Sequence, residues 1–350
     1  MTNDEPDKIK WGVIGSGGIA RRRTIPEGFV PASNARLATV YGTNHWANHE
    51  IGRQFGATAA DSLEALLESD IDAVYVASPV QAHEAQVLAC AKAGKHVLCE
   101  KPLGRTVAEA EAMAAACGKA GVQLGTAFMM RFQTQHQEAA KMIQAGKLGK
   151  PVYARAQLSC WYPPMPNSFR QNPALGGGGS LIDMGNHCID LLEFFFGPAK
   201  AVSCFTNSTV HAYASEDSAV VLLQFANGAV GAVDTFFCIQ DESSKNALEL
   251  YGSRGSILAT GTIGQGSHGE MTAHLPPGEA GYQAQQGRTQ GQGIKITPEM
   301  QNIYRAEIEA FSAALLAGTP NPLPAELGLR SQKIIAACYK SASTGRAVAV

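Results

Sequence analysis

The chain lacks an uninterrupted apolar stretch of the roughly 18 residues that a membrane-spanning helix needs. Its first residues, Met1 to Lys10, are polar and acidic, unlike a secretory signal peptide. It also lacks an excess of one charge: its 350 residues carry a net charge of −2, and 17% of them are charged. A nucleic-acid surface would need a basic patch. We therefore expect a cytoplasmic globular protein of about two domains, with neither a membrane nor a nucleic acid as partner.

Paired cysteine spacings are also missing. The eight cysteines include no Cys-x-x-Cys motif, a spacing on which zinc sites commonly depend. Several lie inside apolar runs, as Cys99 does at the end of His96 to Cys99. We expect reduced thiols in the core and no metal site.

A glycine motif follows the first apolar run. Lys8 to Ile14 predicts a buried strand, and Gly15-Ser16-Gly17-Gly18-Ile19-Ala20 comes directly after it, before a helical stretch. In such a G-x-G-x-x-A turn the first glycine permits the tight turn, and the second lets the backbone reach a pyrophosphate. The helix start offers free N–H groups to the phosphates. The motif therefore predicts dinucleotide binding by a Rossmann domain.

The second predicted strand, Ala35 to Tyr41, does not end in the carboxylate that commonly binds the adenosine ribose. The turn after it reads Gly42-Thr43-Asn44-His45, and its last three residues are able to donate hydrogen bonds to a cofactor. Without a carboxylate there is no repulsion of a 2′-phosphate, yet the turn also holds no arginine to attract one. Both NAD and NADP stay open, with a slight preference for NADP.

Predicted strands and helices alternate from Ile9 to about Phe128, which is typical of a parallel sheet with helices on both faces. Two of the strands end in polar residues: Ser78-Pro79, with His83 after it, and Glu100-Lys101-Pro102. Such sheets bind ligands at the carboxyl edge of their strands. The ammonium group of Lys101 would orient a substrate hydroxyl there, beside a nicotinamide.

The pattern changes after a predicted helix at about Gln133 to Ala145. Strand-like runs then follow one another with short turns, which predicts an open, largely antiparallel sheet. They are expected at Pro151 to Cys160, Ala199 to Thr209, Ser218 to Phe225, Ala229 to Phe237, Ala247 to Tyr251 and Ser256 to Thr260.

The last part of the chain is expected to begin with a long loop, Gly261 to Gly293, which is rich in Gly, Gln and Pro. Helices at about Pro298 to Ala317 and Pro324 to Thr344 follow it. Residues 1–128 are thus expected to form the Rossmann domain. Residues 129–350 are expected to form an α/β domain for substrate binding and oligomerisation, whose last helices are able to pack back on the first domain.

An acid and a base stand four residues apart near the centre of the chain. Asp183 and His187 follow the run Gly176 to Gly179, and on a helix this spacing places them on one face. Histidine is the side chain whose proton moves most readily near neutral pH, and the glycines would let the backbone approach a ligand. The pair is either the acid–base couple of a catalytic site or a structural pair that satisfies itself in the core.

Three segments in this order resemble the glucose–fructose oxidoreductase / inositol dehydrogenase / rhizopine-catabolism (Gfo/Idh/MocA) family. They are Gly15 to Ala20, Cys99-Glu100-Lys101-Pro102, and Gly177-Gly178-Gly179 with Asp183, His187 and Asp190. The resemblance extends over nearly the whole chain. It implies a Rossmann domain followed by an α/β domain whose open, mostly antiparallel sheet packs against another subunit, in a homodimer or homotetramer. It also implies a cis peptide bond before Pro102.

The resemblance further implies the site residues. Lys101, Asp183 and His187 correspond to the catalytic set. Arg131 corresponds to a position near the cofactor, and Tyr304 to a helix start near the pocket. Trp161 and Arg170 belong to segments that resemble a loop reaching the active site. Packing of the loop itself is the alternative role of its aromatic residues. The residues expected to bind the cofactor are Gly15, Ser16, Gly17, Gly18, Ile19, Ala20, Thr43, Asn44, His45, Ser78, Pro79, His83, Glu100, Lys101 and Arg131. Those expected to bind the substrate are Lys101, Trp161, Arg170, Asp183, His187 and Tyr304.

The expected reaction is hydride transfer between a nicotinamide cofactor and the carbinol carbon of a sugar, a polyol or a sugar derivative. His187 would take the proton of the hydroxyl, Lys101 would hydrogen-bond that hydroxyl and lower its pKa, and Asp183 would orient the substrate or His187. Two other functions stay open. One is a redox-assisted glycosidase that keeps its NAD bound. The other is a non-catalytic sensor, against which the intact catalytic set argues.

Overall fold

The computed structural model describes residues 8–278, 281–282, 284 and 292–350, which form two compact units. The first unit contains the described residues up to Met129 together with Asn167–Gly178 and Asn302–Lys333. The second contains Met130–Pro166, Gly179–Gln301 and Ile334–Val350. The division expected after residue 128 therefore differs from the structure in two later segments, which belong to the first unit.

The first unit is built on a six-stranded parallel sheet. Its strands are β1 (Ile9–Ile14), β2 (Ala35–Tyr41), β3 (Thr58–Ala59), β4 (Ala73–Val76), β5 (His96–Glu100) and β6 (Leu124–Ala127). Their order, β3-β2-β1-β4-β5-β6, is that of a dinucleotide-binding Rossmann domain. Strand β4 is buried along its whole length, as expected where helices cover both faces of a sheet. The predicted Rossmann fold is confirmed.

The helices predicted at about residues 133–145, 298–317 and 324–344 are present, although the second begins at Ile303, later than predicted. The α-helices of the described residues are α1 (His45–Phe55), α2 (Leu63–Glu68), α3 (His83–Lys92), α4 (Val107–Ala120), α5 (Thr134–Gln144), α6 (Pro173–Gly176), α7 (Asn186–Phe196), α8 (Ile303–Ala317) and α9 (Ala325–Thr344). Two further segments have π-helical hydrogen bonding, Ala20–Phe29 and Leu181–Gly185. In the part of the chain that is described, none of the helices has the length and apolar character needed to cross a bilayer.

Helix α8 packs on the Rossmann sheet within the first unit. The indole ring of Trp11, on β1, has its centroid 5.4 Å from that of Phe29 and 5.5 Å from that of Phe311 on α8. The indole N–H donates a hydrogen bond to the Ser312 hydroxyl at 3.1 Å. Trp11 and Phe311 are fully buried, and burial of such a side chain contributes about 1.5–3 kcal/mol. This contact explains why a C-terminal segment belongs to the first unit.

The second unit is built on a nine-stranded sheet. Its strands are β7 (Pro151–Ser159), β8 (Ala199–Asn207), β9 (Ser218–Phe225), β10 (Val230–Phe236), β11 (Ala247–Gly252), β12 (Gly255–Thr260), β13 (Glu270–His274), β14 (Ile294–Lys295) and β15 (Val348–Ala349). The order is β14-β13-β12-β11-β7-β10-β9-β8-β15. Strands β7 and β10 pair in parallel, and the other described pairs are antiparallel. The expected open, mostly antiparallel sheet is confirmed.

The expectation of a loop throughout residues 261–293 is wrong for the part that is described. Strand β13 pairs with β12, with Glu270 opposite Thr260. Met271 and Ala273 are buried while Thr272 between them is half-buried, which is the period-2 pattern of a strand with one covered face. The surrounding Gly, Gln and Pro obscured this short pattern. Residues 279–280, 283 and 285–291 of the expected loop lie outside the described residues.

Candidate active site

The turn after β1 requires its first glycine. Gly15 has a φ of +106°, and a Cβ there would lie 2.6 Å from the carbonyl carbon of Ala77 and 2.7 Å from the backbone nitrogen of Ser78. A side chain at position 15 would therefore collide with the backbone that follows β4. The tight turn brings the ends of β1 and β4 together at the carboxyl edge of the sheet.

The second glycine of the motif, Gly17, is required for a different reason. A Cβ at Gly17 would meet no protein atom within 4 Å, and its φ lies outside the left-handed region. Neither packing nor backbone conformation requires glycine at this exposed position. Close approach of a phosphate does require it. Ala20 is fully buried where the π-helix Ala20–Phe29 begins, so the turn fits a dinucleotide pyrophosphate; Ser16, Gly18 and Ile19 complete it.

The end of β2 packs against this turn. A Cβ at Gly42 would overlap the Ser16 hydroxyl and lie 2.9 Å from the Ser16 backbone nitrogen. The missing carboxylate at position 42 thus has a packing cause. Asn44 caps α1, because its side-chain oxygen accepts the N–H of Ala47 at 3.0 Å. Thr43 and His45 are exposed beside it.

His83 is a buried residue that joins two loops, and its expected cofactor contact stays a prediction. Its ring is 1% exposed, and Nε2 lies 2.9 Å from the Ser78 carbonyl oxygen while Nδ1 lies 3.1 Å from that of Pro102. Burial lowers the pKa of His83. The residue therefore joins the loop of Ser78 and Pro79, which follows β4, to the loop that follows β5.

Glu100 and Lys101 end β5 at the carboxyl edge. The Lys101–Pro102 peptide bond is cis, as the family resemblance implied. The Glu100 carboxylate accepts the Tyr75 hydroxyl at 2.5 Å and the Lys101 backbone N–H at 3.2 Å. Burial raises the pKa of Glu100, and the Tyr75 hydroxyl and the charges of Lys101 and Arg170 oppose that rise. Arg170 also lies over the Phe169 ring, with its guanidinium carbon 4.5 Å from the ring centroid.

Two buried groups on α8 accompany Glu100. Glu307 is 1% exposed, and its Oε1 has no hydrogen-bond partner among the described residues. Burial and then the charge of Glu100 raise the pKa of Glu307 well above its usual value. Tyr304 is 1% exposed and its hydroxyl is buried, while its expected contact with substrate stays a prediction. The sequence carried no signal for Glu307, because its helical position resembles that of a solvated charge.

The second unit holds Asp183 and His187 on one continuous helical segment. Asp183 lies in the π-helical turn Leu181–Gly185, and its N–H donates to the Gly179 carbonyl at 3.1 Å. His187 is the second residue of α7 and is 5% exposed, while Asp183 is half-buried. π-Helical turns inside α-helices are frequent at functional sites.

Glu216, which no sequence motif identifies, anchors this segment. Both of its carboxylate oxygens lie 2.9 Å from the Gly179 nitrogen, and one accepts the Leu181 N–H at 3.0 Å and the Tyr339 hydroxyl at 2.9 Å. A Cβ at Gly179 would overlap the Glu216 carbonyl oxygen, and one at Gly176 would lie 2.6 Å from the Phe169 carbonyl oxygen. These glycines therefore serve packing of the chain on itself, whereas ligand approach was expected.

Arg131 is engaged by Asp190. Nε and one terminal nitrogen of the guanidinium each lie 2.8 Å from a different carboxylate oxygen, and the two side chains are 15% and 5% exposed. The Arg131 guanidinium carbon also lies 5.0 Å from the ring centroid of Phe194. This buried bidentate pair joins the short turn before α5 to helix α7. The expected cofactor contact of Arg131 stays a prediction.

An aromatic cluster surrounds Trp161. The rings of Trp161 and His211 meet edge to face with centroids 4.8 Å apart, and His211 stacks on Tyr213 at 5.3 Å. The Trp161 side chain is 37% exposed. His211 is fixed by a hydrogen bond between Nε2 and the Phe237 carbonyl oxygen at 3.0 Å. His211 and Tyr213 were not found from the sequence, since they are separated from Trp161 by some 50 positions.

This aromatic cluster and the Asp183 turn lie at the same end of β10. The Tyr162 N–H donates to the Phe237 carbonyl at 2.8 Å, directly after β10. The Ser180 hydroxyl donates to the Thr235 carbonyl at 3.2 Å, one residue before the end of that strand. Trp161 and Asp183 are therefore held by adjoining parts of one strand in the second unit.

The site residues divide between the two units. The first contains the glycine turn, Lys101, Arg170 and Tyr304, and the second contains Arg131, Trp161, Asp183 and His187. The meeting of Lys101 with Asp183 and His187 stays a prediction.

Comparison with known proteins covers both units. A family model described as "Oxidoreductase family, NAD-binding Rossmann fold" matches residues 9–128, and one described as "GFO/IDH/MocA C-terminal domain" matches residues 136–258. The chain is 28% identical to 1,5-anhydro-D-fructose reductase of Ensifer adhaerens, over 97% of this chain and 98% of the relative. It is 30% identical to D-xylose 1-dehydrogenase (NADP(+)) 2 of Haloferax volcanii, over 97% and 99%. Its structure matches aldose-aldose oxidoreductase from Caulobacter crescentus complexed with glycerol, with a TM-score of 0.86, 27% identity and coverage of 98% and 100%.

Proposed function

The chain belongs to the Gfo/Idh/MocA family of oxidoreductases, and from this premise we propose that Lys101, Asp183 and His187 carry its catalysis. It is an NAD(P)-dependent oxidoreductase that transfers a hydride between nicotinamide and a carbinol carbon of a sugar or polyol. The names of its relatives do not favour the redox-assisted glycosidase or the sensor.

The position of Lys101 is the observation that carries the proposal. Lys101 directly follows β5, and the glycine turn directly follows β1, two strands away in the same parallel sheet. Ligands of such sheets bind at the carboxyl edge. Lys101 and the glycine turn therefore lie at the same edge of one sheet, which supports a reacting centre at that edge.

Each residue of the set has one task. The bound dinucleotide supplies the hydride acceptor, or the donor in the reverse direction. Lys101 donates a hydrogen bond to the reacting oxygen and stabilises the negative charge that develops on it. His187 takes the hydroxyl proton during oxidation and returns it during reduction. Asp183, four residues before His187 on the segment that Glu216 anchors, orients the substrate or the imidazole.

The aromatic cluster supports a sugar or polyol as the substrate. Trp161 offers a partly exposed ring face that His211 and Tyr213 hold in place. A rigid apolar face combined with a few polar groups is typical of small-molecule sites. We assign Trp161 to the carbon face of the substrate and Arg170 to its hydroxyl groups.

The outer face of the second sheet supports a homo-oligomer. Val220 and Leu222 on β9 are 40% and 56% exposed, Phe205 on β8 is 76% exposed, and Val230 on β10 is 50% exposed. Phe205 lies opposite Val220 in the β8–β9 register. Exposed apolar patches of this kind mark interaction surfaces. We propose that a second copy of the chain covers this face, in a dimer or tetramer. Replacement of Phe205 and Leu222 by Asp should then reduce the mass measured by light scattering to that of one chain.

A panel of sugars and polyols with NAD and NADP, followed by the absorbance of the reduced nicotinamide, tests the function. Lys101→Met and His187→Ala should each lower kcat on the best substrate by about 10²–10⁴-fold, the usual contribution of a positioned acid or base. The Kd of the cofactor should change far less than kcat does, because the glycine turn is intact in both variants. Lys119→Met, a change on an exposed residue near the end of α4, is the matched control and should leave kcat unchanged.

Two results would contradict the proposal. Wild-type turnover in either variant would remove that residue from the catalytic set. Substrate turnover with no net change in free cofactor would instead indicate the redox-assisted glycosidase with bound NAD.

A further inference from the structure

Arg21 lies over Trp46 at the end of β2. Its guanidinium carbon is 5.3 Å from the centroid of the Trp46 ring, within the roughly 6 Å over which a cation is attracted to an aromatic face. Arg21 is in the first turn of the π-helix that follows the glycine turn, and Trp46 is the second residue of α1. The parallel pairing of β1 with β2 brings these two helix starts side by side. The turn after β2 contains no arginine of its own, but the fold places Arg21 beside it.

The neighbouring arginines have other partners. Arg22 donates from Nε to the Gly18 carbonyl at 3.1 Å, and Arg23 forms an ion pair with Glu27 at 2.6 Å. Arg21 has no carboxylate within ion-pairing distance among residues 8–278 and 292–350. Arg21 and Arg22 therefore both keep N–H groups available to an anion, and Arg21 is the one that lies over the Trp46 ring.

Trp46 has no packing reason to be tryptophan. Its side chain is 63% exposed, whereas the residue after it, Ala47, is buried. A role in holding the Arg21 guanidinium would explain why a large exposed ring lies beside the end of β2. An arginine that stacks on a ring keeps its N–H groups free for a planar or tetrahedral anion.

The same corner carries nothing that repels an anion. The first turn of α1 contains no acidic residue, and Gly42, packed on Ser16, leaves no room for the carboxylate that would bind ribose hydroxyls. In Rossmann domains the adenosine ribose lies at the end of β2, and an arginine there accommodates a 2′-phosphate.

We propose that Arg21, held by Trp46, binds the 2′-phosphate of NADP and makes this enzyme prefer NADP. This inference rests on the proposed function, which places a dinucleotide on the glycine turn. Arg21 is then the residue that distinguishes the two cofactors. It lies on the helix that follows the glycine turn, whereas residues 43–45 were expected to form the adenosine end of the site.

Calorimetric titration with adenosine 2′,5′-bisphosphate and with 5′-AMP tests the proposal without any turnover, since the two probes differ in the 2′-phosphate. NADP and NAD are titrated in parallel. In the wild-type chain the bisphosphate should bind more tightly than 5′-AMP. Arg21→Ala should weaken the bisphosphate and NADP by about 10- to 100-fold, the usual range for a charged hydrogen-bonded contact, and leave 5′-AMP and NAD unchanged.

Two further variants sharpen the result. Arg53→Ala removes the same charge from the last turn of α1, where Arg53 is exposed and paired with Glu50, and should leave all four affinities unchanged. Trp46→Leu keeps Arg21 but removes the ring, and should reduce the preference for the bisphosphate by a smaller factor than Arg21→Ala does. Arg21 and Trp46 are exposed, so unchanged thermal unfolding is expected in both variants.

The proposal is overturned if Arg21→Ala leaves the ratio of the NADP and NAD affinities unchanged, or if wild-type protein binds NAD at least as tightly as NADP. If the wild-type chain binds NAD and Arg21→Ala leaves the ratio of the NADP and NAD affinities unchanged, only the role of Arg21 is overturned. Binding of neither dinucleotide would overturn the proposed function as well.

Discussion

Glu216 holds Gly179 with both its side chain and its main chain. The Gly179 nitrogen lies 2.9 Å from each carboxylate oxygen of Glu216, and the Glu216 carbonyl oxygen occupies the space that a Cβ at position 179 would need. Burial raises the pKa of Glu216, although the backbone N–H groups of Leu181 and Gly179 favour its charged form. The start of the segment that carries Asp183 and His187 is therefore fixed from two directions.

Gly179→Ala should destabilise the protein by about 1–3 kcal/mol, the usual cost of overpacking a site that cannot expand. It should also lower kcat, since the Asp183 turn must shift. Gly118→Ala, in α4, is the matched control: its Cβ would meet no atom within 4 Å, and alanine is favoured over glycine in a helix by about 0.5–1 kcal/mol. Urea unfolding measures both, and equal stability of the Gly179 variant and the wild type would contradict the packing argument.

Gly17→Val should abolish dinucleotide binding and leave the fold intact. The open space around a Cβ at position 17 means that valine meets no protein atom near the backbone, while it blocks approach of the pyrophosphate. Calorimetry gives the NAD and NADP affinities, and thermal unfolding confirms the fold. Gly15→Ala serves as the contrast, because a φ of +106° and the nearby Ala77 backbone should make that variant unstable. Wild-type affinity in Gly17→Val would move the cofactor away from this turn.

A carboxylate at position 43 should shift the cofactor preference toward NAD. Thr43 is exposed, so Thr43→Asp adds a negative charge beside the adenosine end of the site without steric conflict, and it should lower the NADP affinity relative to that of NAD. Gly42→Asp should weaken both cofactors instead, because its Cβ would displace Ser16 of the glycine turn. The ratio of the NADP and NAD dissociation constants, measured for each variant, tests both expectations. A ratio unaffected by Thr43→Asp would show that this turn does not contact the ribose.

Glu307→Gln should change how stability depends on pH. The pKa of Glu307 is raised in the fold, so above its unfolded value of about 4.3 the native state binds a proton that the unfolded chain has lost. The stability contributed by this group is therefore present at low pH and is lost as pH rises. Glutamine stays neutral, and the variant should gain stability relative to wild type between pH 5 and pH 8.

Glu309→Gln, two residues later on α8, should change stability in the opposite direction. Burial acts to raise the pKa of Glu309, but the Ser33 and Arg305 hydrogen bonds outweigh it and lower the pKa. The wild-type carboxylate there stabilises the fold above its unfolded pKa of about 4.3, and this stability is lost as pH falls through the lowered native pKa. The variant should therefore be less stable than wild type by a constant amount between about pH 5 and pH 8, and the difference should shrink as pH falls below about 4. Urea midpoints at about pH 3, pH 5 and pH 8 for the three proteins measure both effects. A stability difference between Glu307→Gln and wild type that stays constant from pH 5 to pH 8 would refute the charge assignment of Glu307.

Much of the fold was predictable because its signals are local. The run Ala73-Val74-Tyr75-Val76 is apolar throughout, as a strand covered on both faces must be, and the structure has β4 at these residues. The start of α4 at Val107 follows a threonine whose side chain caps it. Strand β13 was missed because five residues with two buried side chains give a weak pattern among glycines and prolines.

The site was predictable in its motif residues and not in its contacts. The spacing of Gly15, Gly17 and Ala20 predicts a phosphate-binding turn wherever a strand precedes it, and the environments of these residues agree with that role. Nothing in the spacing of Arg131 and Asp190 predicts a buried bidentate pair. Nor does a helical tyrosine such as Tyr304 reveal that it faces the interior.

The succession of strands and helices, the glycine turn and the acid–base pair were predictable, because each depends on residues within one turn or one strand. The contact of Arg21 with Trp46, the anchoring of Gly179 by Glu216 and the need for glycine at position 42 arise only when the chain is folded. Those relationships join residues 25, 37 and 26 positions apart. They depend on which strands become neighbours, and strand pairing is selected by burial of the whole sheet, for which no short segment carries the information.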